Sequence, residues 1–231
     1  MPVASHNIIR VLSKLGVCSR KQAVDYVAAG RVRVNGRVVR DPGTPATVTD
    51  KILVDGKPPA KKEKICLLFH KPAGCVTTRS DELGRKTVYD YLGDTGQWLF
   101  PVGRLDLESE GLLLFTNDTD FGNRLTDPRY KTPRTYNVTL DGALPPDALE
   151  KIQRGGMDIG RGETAGPASA SVLCEENGRQ TIRITLTEGK NRELRRLFEA
   201  LGREVVRLVR TDFGGYKLGD IPPGQWRTLR I

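Results

Sequence analysis

The most chemically loaded stretch of the chain is Arg104-Leu105-Asp106-Leu107-Glu108-Ser109-Glu110-Gly111, inside FPVGRLDLESEGLLLFTND, residues 100–118. Three carboxylates alternate where the flanking residues read as apolar sheet. On an extended backbone alternate residues share a face, so Asp106, Glu108 and Glu110 could begin a hard-cation site. A glycosidase-type pair of carboxylates also fits that description. Against the metal reading, no second acidic cluster stands near, and the whole chain has only two histidines. Gly111 reads as a turn, and Glu108 and Glu110 read as solvent-side residues of a hairpin loop. Asp106 differs because Arg104 is beside it. A carboxylate wedged between apolar strands needs a cation to stay ionised and oriented. A later helix, GKNRELRRLFEALG, offers Lys190, Arg192, Arg195 and Arg196. There Leu194, Leu197, Phe198 and Leu201 form the inward stripe, and Arg195 lies on its boundary, able to face a carboxylate. Lys190, Arg192 and Arg196 are better placed for phosphates or solvent. An Arg–Asp pair would keep Asp106 deprotonated and aimed, as a nucleophile requires.

These residues must be held by a fold, and composition limits which one. The chain has 231 residues and a formal charge of +9. Residues 1–64 hold 13 Lys/Arg and 5 Asp/Glu, so nearly all the excess positive charge lies there. A basic front end on a nearly neutral body points to a polyanion partner. No apolar run approaches the roughly 18 residues of a membrane span, and the N-terminus lacks the pattern of a signal peptide. The four cysteines (Cys18, Cys66, Cys75, Cys174) stand apart. That argues for a reducing, cytoplasmic setting and against a zinc site or disulfide framework.

Residues 7–29 read as two short helices, the second capped by Ser19, with Ala23, Val24 and Val27 inward. RVRVNGRVV is a hairpin about Asn35-Gly36, with Arg31, Arg33 and Asn35 on the face opposite Val32 and Val34. With Arg20 and Lys21 these make a basic edge. KPPAKKEK, residues 57–64, reads as a linker, giving an N-terminal module over 1–60 and a body over 61–231. In the body the spacing predicts strands at ICLLFHK, GLLLFTN, RTYNVTL, QTIRITL, EVVRLVR and QWRTLR. Helices are expected at TVYDYL, DFGNRLT, DALEKIQR and NRELRRLFEAL. Strands adjoined by turns favour a mixed, mostly antiparallel α+β fold.

VGRLDLESEGLLLFTND resembles the signature of the bacterial ribosomal pseudouridine synthases, the RsuA/RluB-type branch. FHKPAGCVTT, RYKTPRTYNV and LTEGKNRELRRLFEALGREVVRLVR resemble the other motifs of that family, in order and spacing. RVLSKLGVCSRKQAVDYVAAGRVRVNGRVV resembles the alpha-L RNA-binding domain named after small-subunit ribosomal protein four. The resemblance implies that Asp106 is the catalytic aspartate, attacking the target uridine at the sugar carbon or the base ring. It implies that Arg104 helps hold the place of the flipped-out nucleotide and that Tyr136 stacks on the target base and takes part in removing its proton. Arg195 would pair with Asp106, and Leu208 would lie beside the base. Ser19, Arg20, Lys21, Arg31, Arg33, Asn35, Lys190, Arg192 and Arg196 would meet RNA, largely through phosphates and sugar edges. An isomerisation needs no cofactor and no metal. The implied partner is ribosomal RNA or a pre-ribosomal particle, met by a monomer. KNRELRR resembles the members acting on the large subunit; the chain's shortness and lack of a basic C-terminal tail fit those longer enzymes less well. On balance large-subunit rRNA is favoured. The competing classes are a non-catalytic RNA-binding assembly factor of the same fold and a metal-dependent hydrolase. A degenerate relative would be expected to lose one of Asp106, Tyr136 and Arg195, and a hydrolase of the second kind would be silenced by a chelator.

Overall fold

A computed structural model describes residues 5–59, 63–93 and 95–230. The N-terminal part runs β1 (His6–Asn7), α1 (Ile8–Lys14), α2 (Arg20–Ala28), β2 (Val32–Val34), β3 (Arg37–Val39), β4 (Pro45–Ala46) and β5 (Ile52–Val54). The Asn7 side chain caps α1, and Ser19 and Gln22 close the start of α2 with a reciprocal capping box. Asn35 and Gly36 both take positive φ, 49° and 83°, as the expected two-residue hairpin between β2 and β3 requires. β5 pairs with the other edge of β2. Ile8, Val11, Leu12, Ala23, Val27, Val32 and Ile52 fill one core. Val24, expected inward, is 40 % exposed. One residue on from Ala23, it is rotated off the narrow stripe that Ala23 and Val27 already fill. The boundary expected between 60 and 61 lies outside the described residues.

The body follows with β6 (Ile65–Lys71), α3 (Tyr89–Leu92), β7 (Phe100–Val102), β8 (Glu110–Thr116), α4 (Thr119–Thr126), β9 (Arg134–Leu140), α5 (Ala148–Arg154), β10 (Met157–Asp158) and β11 (Thr164–Ala165). It ends with β12 (Ser169–Glu176), β13 (Arg179–Leu186), α6 (Glu193–Ala200), β14 (Val205–Phe213), β15 (Tyr216–Lys217) and β16 (Trp226–Arg230). The main sheet has the order β12-β13-β9-β14-β8-β6-β16, with β15 on β14 and β7 on β8. Within it only β14 and β8 run parallel. The fold is the expected α+β type with a mostly antiparallel sheet. β12 was not expected: its residues, SASVLCEE, lie on an exposed sheet edge and carry little apolar alternation.

The run Leu112–Phe115 is apolar throughout because β8 is covered on both faces. Leu113 and Phe115 pack with Phe69 and Val88, while Leu112 and Leu114 pack with Phe121 and Phe213. Gly111 is not a turn residue. It sits in β8 at φ +103°, where a Cβ would lie 2.3 Å from the Arg210 carbonyl oxygen. Glycine is what lets the two parallel strands meet here. The two parts touch where α1 meets α4, with the Lys14 ammonium 3.8 Å from Asp120. No helix among the described residues is long and apolar enough to cross a membrane.

Candidate active site

Asp106 sits in the short loop from β7 to β8, and its neighbours in the chain are pinned on both sides. Before it, the Thr77 hydroxyl donates to the Leu105 carbonyl at 2.8 Å, and the Leu105 amide lies 3.3 Å from the same hydroxyl oxygen. After it, the Gly74 amide donates to the Leu107 carbonyl at 2.8 Å. Lys71, the last residue of β6 and fully buried, reaches into the same turn. Its Nζ donates to the carbonyls of Pro72 (3.0 Å), Leu107 (3.3 Å) and Ser109 (2.8 Å). Burial lowers the Lys71 pKa, opposed by nearby Cys75, Asp106 and Glu110. Sequence reasoning passed over this lysine; a lone cation closing an apolar strand before a proline was the available signal.

The other two carboxylates are neutralised by arginines, so they do not share a cation site with Asp106. The backbone turns at Leu107 and Glu108 instead of staying extended. Glu108 meets Arg192 at 3.3 Å and Arg195 at 3.5 Å. Glu110 takes a two-pronged pair from Arg207, at 3.0 and 2.9 Å, which holds its carboxyl below the usual range. Among the described residues no cluster of three or more His, Cys, Asp or Glu side chains could hold a metal. The Asp106 carboxylate makes no ion pair or side-chain hydrogen bond among the described residues.

Three expectations for the later helix change accordingly. Arg195 does not pair with Asp106: it donates to the Val205 carbonyl at 3.0 Å and faces Glu108, leaving Nε without a hydrogen-bond acceptor. Arg196 is held inside by the Asn191, Ile159 and Gly160 carbonyls and by Glu163. Lys190 is bound to the Thr164 carbonyl and Glu188. Neither of the last two is free for phosphate. Arg192, in a left-handed conformation at the start of α6, stays at the rim.

Asp106 opens onto a cleft of about 490 Å³. Tyr136 and Leu208, on the adjacent strands β9 and β14, line it with Asp106, and Arg104 stands exposed at its mouth. The Tyr136 hydroxyl makes no hydrogen bond among the described residues. Two arginines that the sequence did not single out form the rear. Arg134 and Arg210 lie against the Phe213 ring, 4.9 and 4.8 Å from its centre. Arg210 is 2 % exposed; its Nε donates to the Leu112 carbonyl, and its buried Nη2 has no hydrogen-bond partner among the described residues. A buried guanidinium with a spare donor, lining the same cleft as Asp106, suits a ligand that brings oxygen acceptors. At the cleft edge Glu193 is buried against Glu188, and burial together with that neighbour raises its pKa. Its unpaired Oε1 is where a proton shared with Glu188 would sit.

The N-terminal basic edge also divides. Ser19 is occupied in its capping box. Arg31 is paired with Asp55 and covers the Tyr26 ring. The Asn35 amide bridges Asp50 and the Lys51 backbone. Arg20, Lys21 and Arg33 are the members that remain exposed and without a carboxylate partner among the described residues.

Comparison with known proteins bears on the family of the chain. The family model described as RNA pseudouridylate synthase matches residues 65–200, and that of the S4 domain matches residues 8–52. The chain is 38% identical over 222 residues to the ribosomal large subunit pseudouridine synthase B of Bacillus subtilis (strain 168), covering 95% of this chain and 90% of that one. It is 37% identical to a protein of Aquifex aeolicus (strain VF5) named an uncharacterized RNA pseudouridine synthase, covering 96% of this chain and 89% of that one. A crystal structure of a pseudouridylate synthase superposes with a TM-score of 0.70 at 27% identity, over 97% of this chain and 96% of that one. With the pseudouridylate synthase model matching more than half of its length and a 38% identical relative covered over 90% of its own length, this chain belongs to the RNA pseudouridylate synthase family.

Proposed function

We propose that the protein converts one uridine of large-subunit ribosomal RNA to pseudouridine, with Asp106 as the nucleophile. The observation that carries this reading is that Asp106, alone among the three carboxylates of its loop, keeps an unpaired side chain and points it into a cleft lined by Tyr136 and Leu208. The large-subunit substrate is supported by the named activity of the Bacillus subtilis relative. A uridine within folded RNA must leave its stack to reach such a cleft, and an aromatic face offers a place for it. Tyr136 supplies that face, Leu208 supplies an apolar wall, and Arg104 at the mouth fills the space the nucleotide leaves. Attack by Asp106, at C1′ or at the base ring, forms a bond to the carboxylate and releases the bond from the ribose C1′ to N1; the bond to Asp106 breaks again as the product forms. The base turns and rejoins C1′ through C5, the C5 proton is lost, and N1 gains one. Atoms balance without redox change. Arg195 acts on Asp106 only through Glu108 and the loop it steadies.

In this reading residues 1–60 bind RNA and residues 61–231 carry the chemistry. The protein acts as a monomer in this reading, and four free thiols fit the cytoplasm. The test is pseudouridine mapping of total rRNA from cells lacking the gene, complemented by the wild type or by Asp106→Asn. One large-subunit position is expected to lose its modification, regaining it only with the wild type. Full modification in the deletion strain, or rescue by D106N, would overturn the proposal; a lost position in small-subunit rRNA would overturn the substrate.

A further inference from the structure

A groove leads away from the catalytic cleft along α4, and the isomerisation makes no use of it. Thr119, Asn123 and Thr126 fall at helical spacing on one side of α4, spanning about 10 Å of its axis. Thr126 lines the catalytic cleft. With Asn123 it also lines a hollow of about 510 Å³ beside Arg124, Arg129 and Tyr130. Asn123 and Thr119 then line a third hollow, of about 340 Å³, against Arg10 and Lys14 of α1, Trp98 and Phe100. Each hollow shares residues with the next, so one path connects the cleft to the N-terminal module.

The chemistry of that path is uneven in an informative way. Its acids are already matched, Asp120 by Lys14 and Asp127 by Arg129. Arg10, Arg20 and Arg124 are exposed and have no carboxylate partner among the described residues. At the far end the Trp98 and Phe100 rings are half-buried, 5.3 Å apart at 41°. Gly122 lets α4 approach them, since a Cβ there would lie 2.9 Å from the Phe100 ring. Unmatched cations alternating with partly open aromatic faces are what a single-stranded nucleic acid engages. Cations follow its backbone and rings stack on its bases. A duplex would present phosphates alone and leave the rings unused.

We propose that this groove holds the single-stranded RNA flanking the target uridine, with Trp98 and Phe100 stacking on a base and Arg10, Arg20 and Arg124 meeting phosphates. The proposal rests on the function inferred above, since the groove's inner end is the cleft of Asp106. The test uses the full-length protein and transcribed, unmodified large-subunit rRNA carrying tritium at uridine C5. Trp98→Ala is expected to raise Kd about tenfold. Arg10→Glu with Arg124→Glu, both on exposed positions, is expected to lower the slope of log K against log salt by about 1.4. Tritium release at saturating RNA should stay within about twofold, and ultraviolet crosslinking should mark the peptide bearing Trp98 or Phe100. Should W98A fail to fold, the charge-swap variant and the crosslink decide. Wild-type Kd and salt slope in the folded charge-swap variant, with no crosslink at 98–100, would overturn the groove. So would competition by a blunt RNA duplex as strong as that by poly(U) of equal length. Binding is read separately from turnover. If D106N still releases tritium, the nucleophile assignment fails, and the Kd and crosslink results still judge the groove.

Discussion

The N-terminal module and the catalytic body are both rich in arginine, yet they hold it differently. In the module Arg20, Lys21 and Arg33 project outward without carboxylates. In the body Arg85, Arg192, Arg195, Arg196 and Arg207 are each matched to an acid. Those three cations of the module are therefore available to a polyanion, while these five of the body are consumed in holding loops and the cleft rim in place; Arg104 and Arg124 are exposed exceptions in the body. Against that background an aspartate left unmatched, and an arginine left with a spare buried donor, mark where the body still expects a ligand. The near-zero net charge of the body conceals this: it is the sum of many internal pairs, not the absence of charge.

The sharpest way to break this picture is at the point where the two halves of the body's sheet join. Gly111→Ala places a Cβ against the Arg210 backbone at 2.3 Å, on a residue at positive φ. Neither strand can yield without losing its pairing, so a loss of about 4 kcal/mol or more is expected by denaturant unfolding, out of a typical 5–15 kcal/mol. A loss under about 1 kcal/mol would show that the junction of β8 and β14 gives way easily and does not fix the cleft. The next effect is on rate. Lys71→Met removes the donor that ties together Pro72, Leu107 and Ser109 while retaining most of the volume. Asp106 would then lose its fixed position, and single-turnover tritium release should fall about a hundredfold with Kd for RNA nearly unchanged. An unaltered rate would mean that Thr77 and Gly74 alone suffice to hold the loop.

The sequence made the elements legible wherever periodicity and capping agreed. α1, α2, α4 and α6 and the hairpin at Asn35-Gly36 follow from local chemistry. The stripe of Leu194, Leu197, Phe198 and Leu201 is buried as its spacing requires. The exposed edge β12 was not legible because its residues face solvent on most positions. In the candidate site, Asp106, Tyr136 and Leu208 do line one cleft. What the sequence could not convey was which cation meets which anion. Arg195 lies on the edge of its helix's buried stripe, from which either Asp106 or Glu108 could be met, and only the turn at Leu107-Glu108 decides that Glu108 meets it. Lys71 and Arg210 were hidden for the same reason: inside apolar strands, a charged residue shows its purpose only once the neighbouring carbonyls are placed.

The comparison can be sharpened by treating the two groups of cations alike. Arg20→Ala with Lys21→Ala and Arg33→Ala should weaken RNA binding about tenfold and lower the salt slope by about 2, leaving the melting temperature nearly unchanged. Lys190→Ala with Arg196→Ala should do the opposite, since those side chains are bound to Thr164, Glu188, Glu163 and the 159–160 backbone. Stability falls and the salt slope stays. Equal changes of slope in both sets, measured by filter binding across salt, would erase the distinction between the two regions.

The smallest effect concerns the acid pair at the cleft edge. Glu193 is buried, and its folded pKa lies above the ordinary 4.5 because of burial and then of Glu188 opposite. A raised carboxyl favours its protonated form in the fold. Its contribution is thus complete below 4.5 and is lost as pH rises through the folded value toward neutrality. Glu188, whose burial is outweighed first by the hydrogen bond with Glu193 and then by Lys190 and the Gly166 amide, is held low and keeps its charge through that window. Arg134 and Lys190 also face the pair, through the Glu188 carbonyl and carboxylate. Glu193→Gln donates to Glu188 at every pH. It is expected to raise the melting temperature by about 2–4 °C at pH 8 and to change it little at pH 5. An equal gain at both pH values would show that packing, not a shared proton, explains the unpaired oxygen of Glu193.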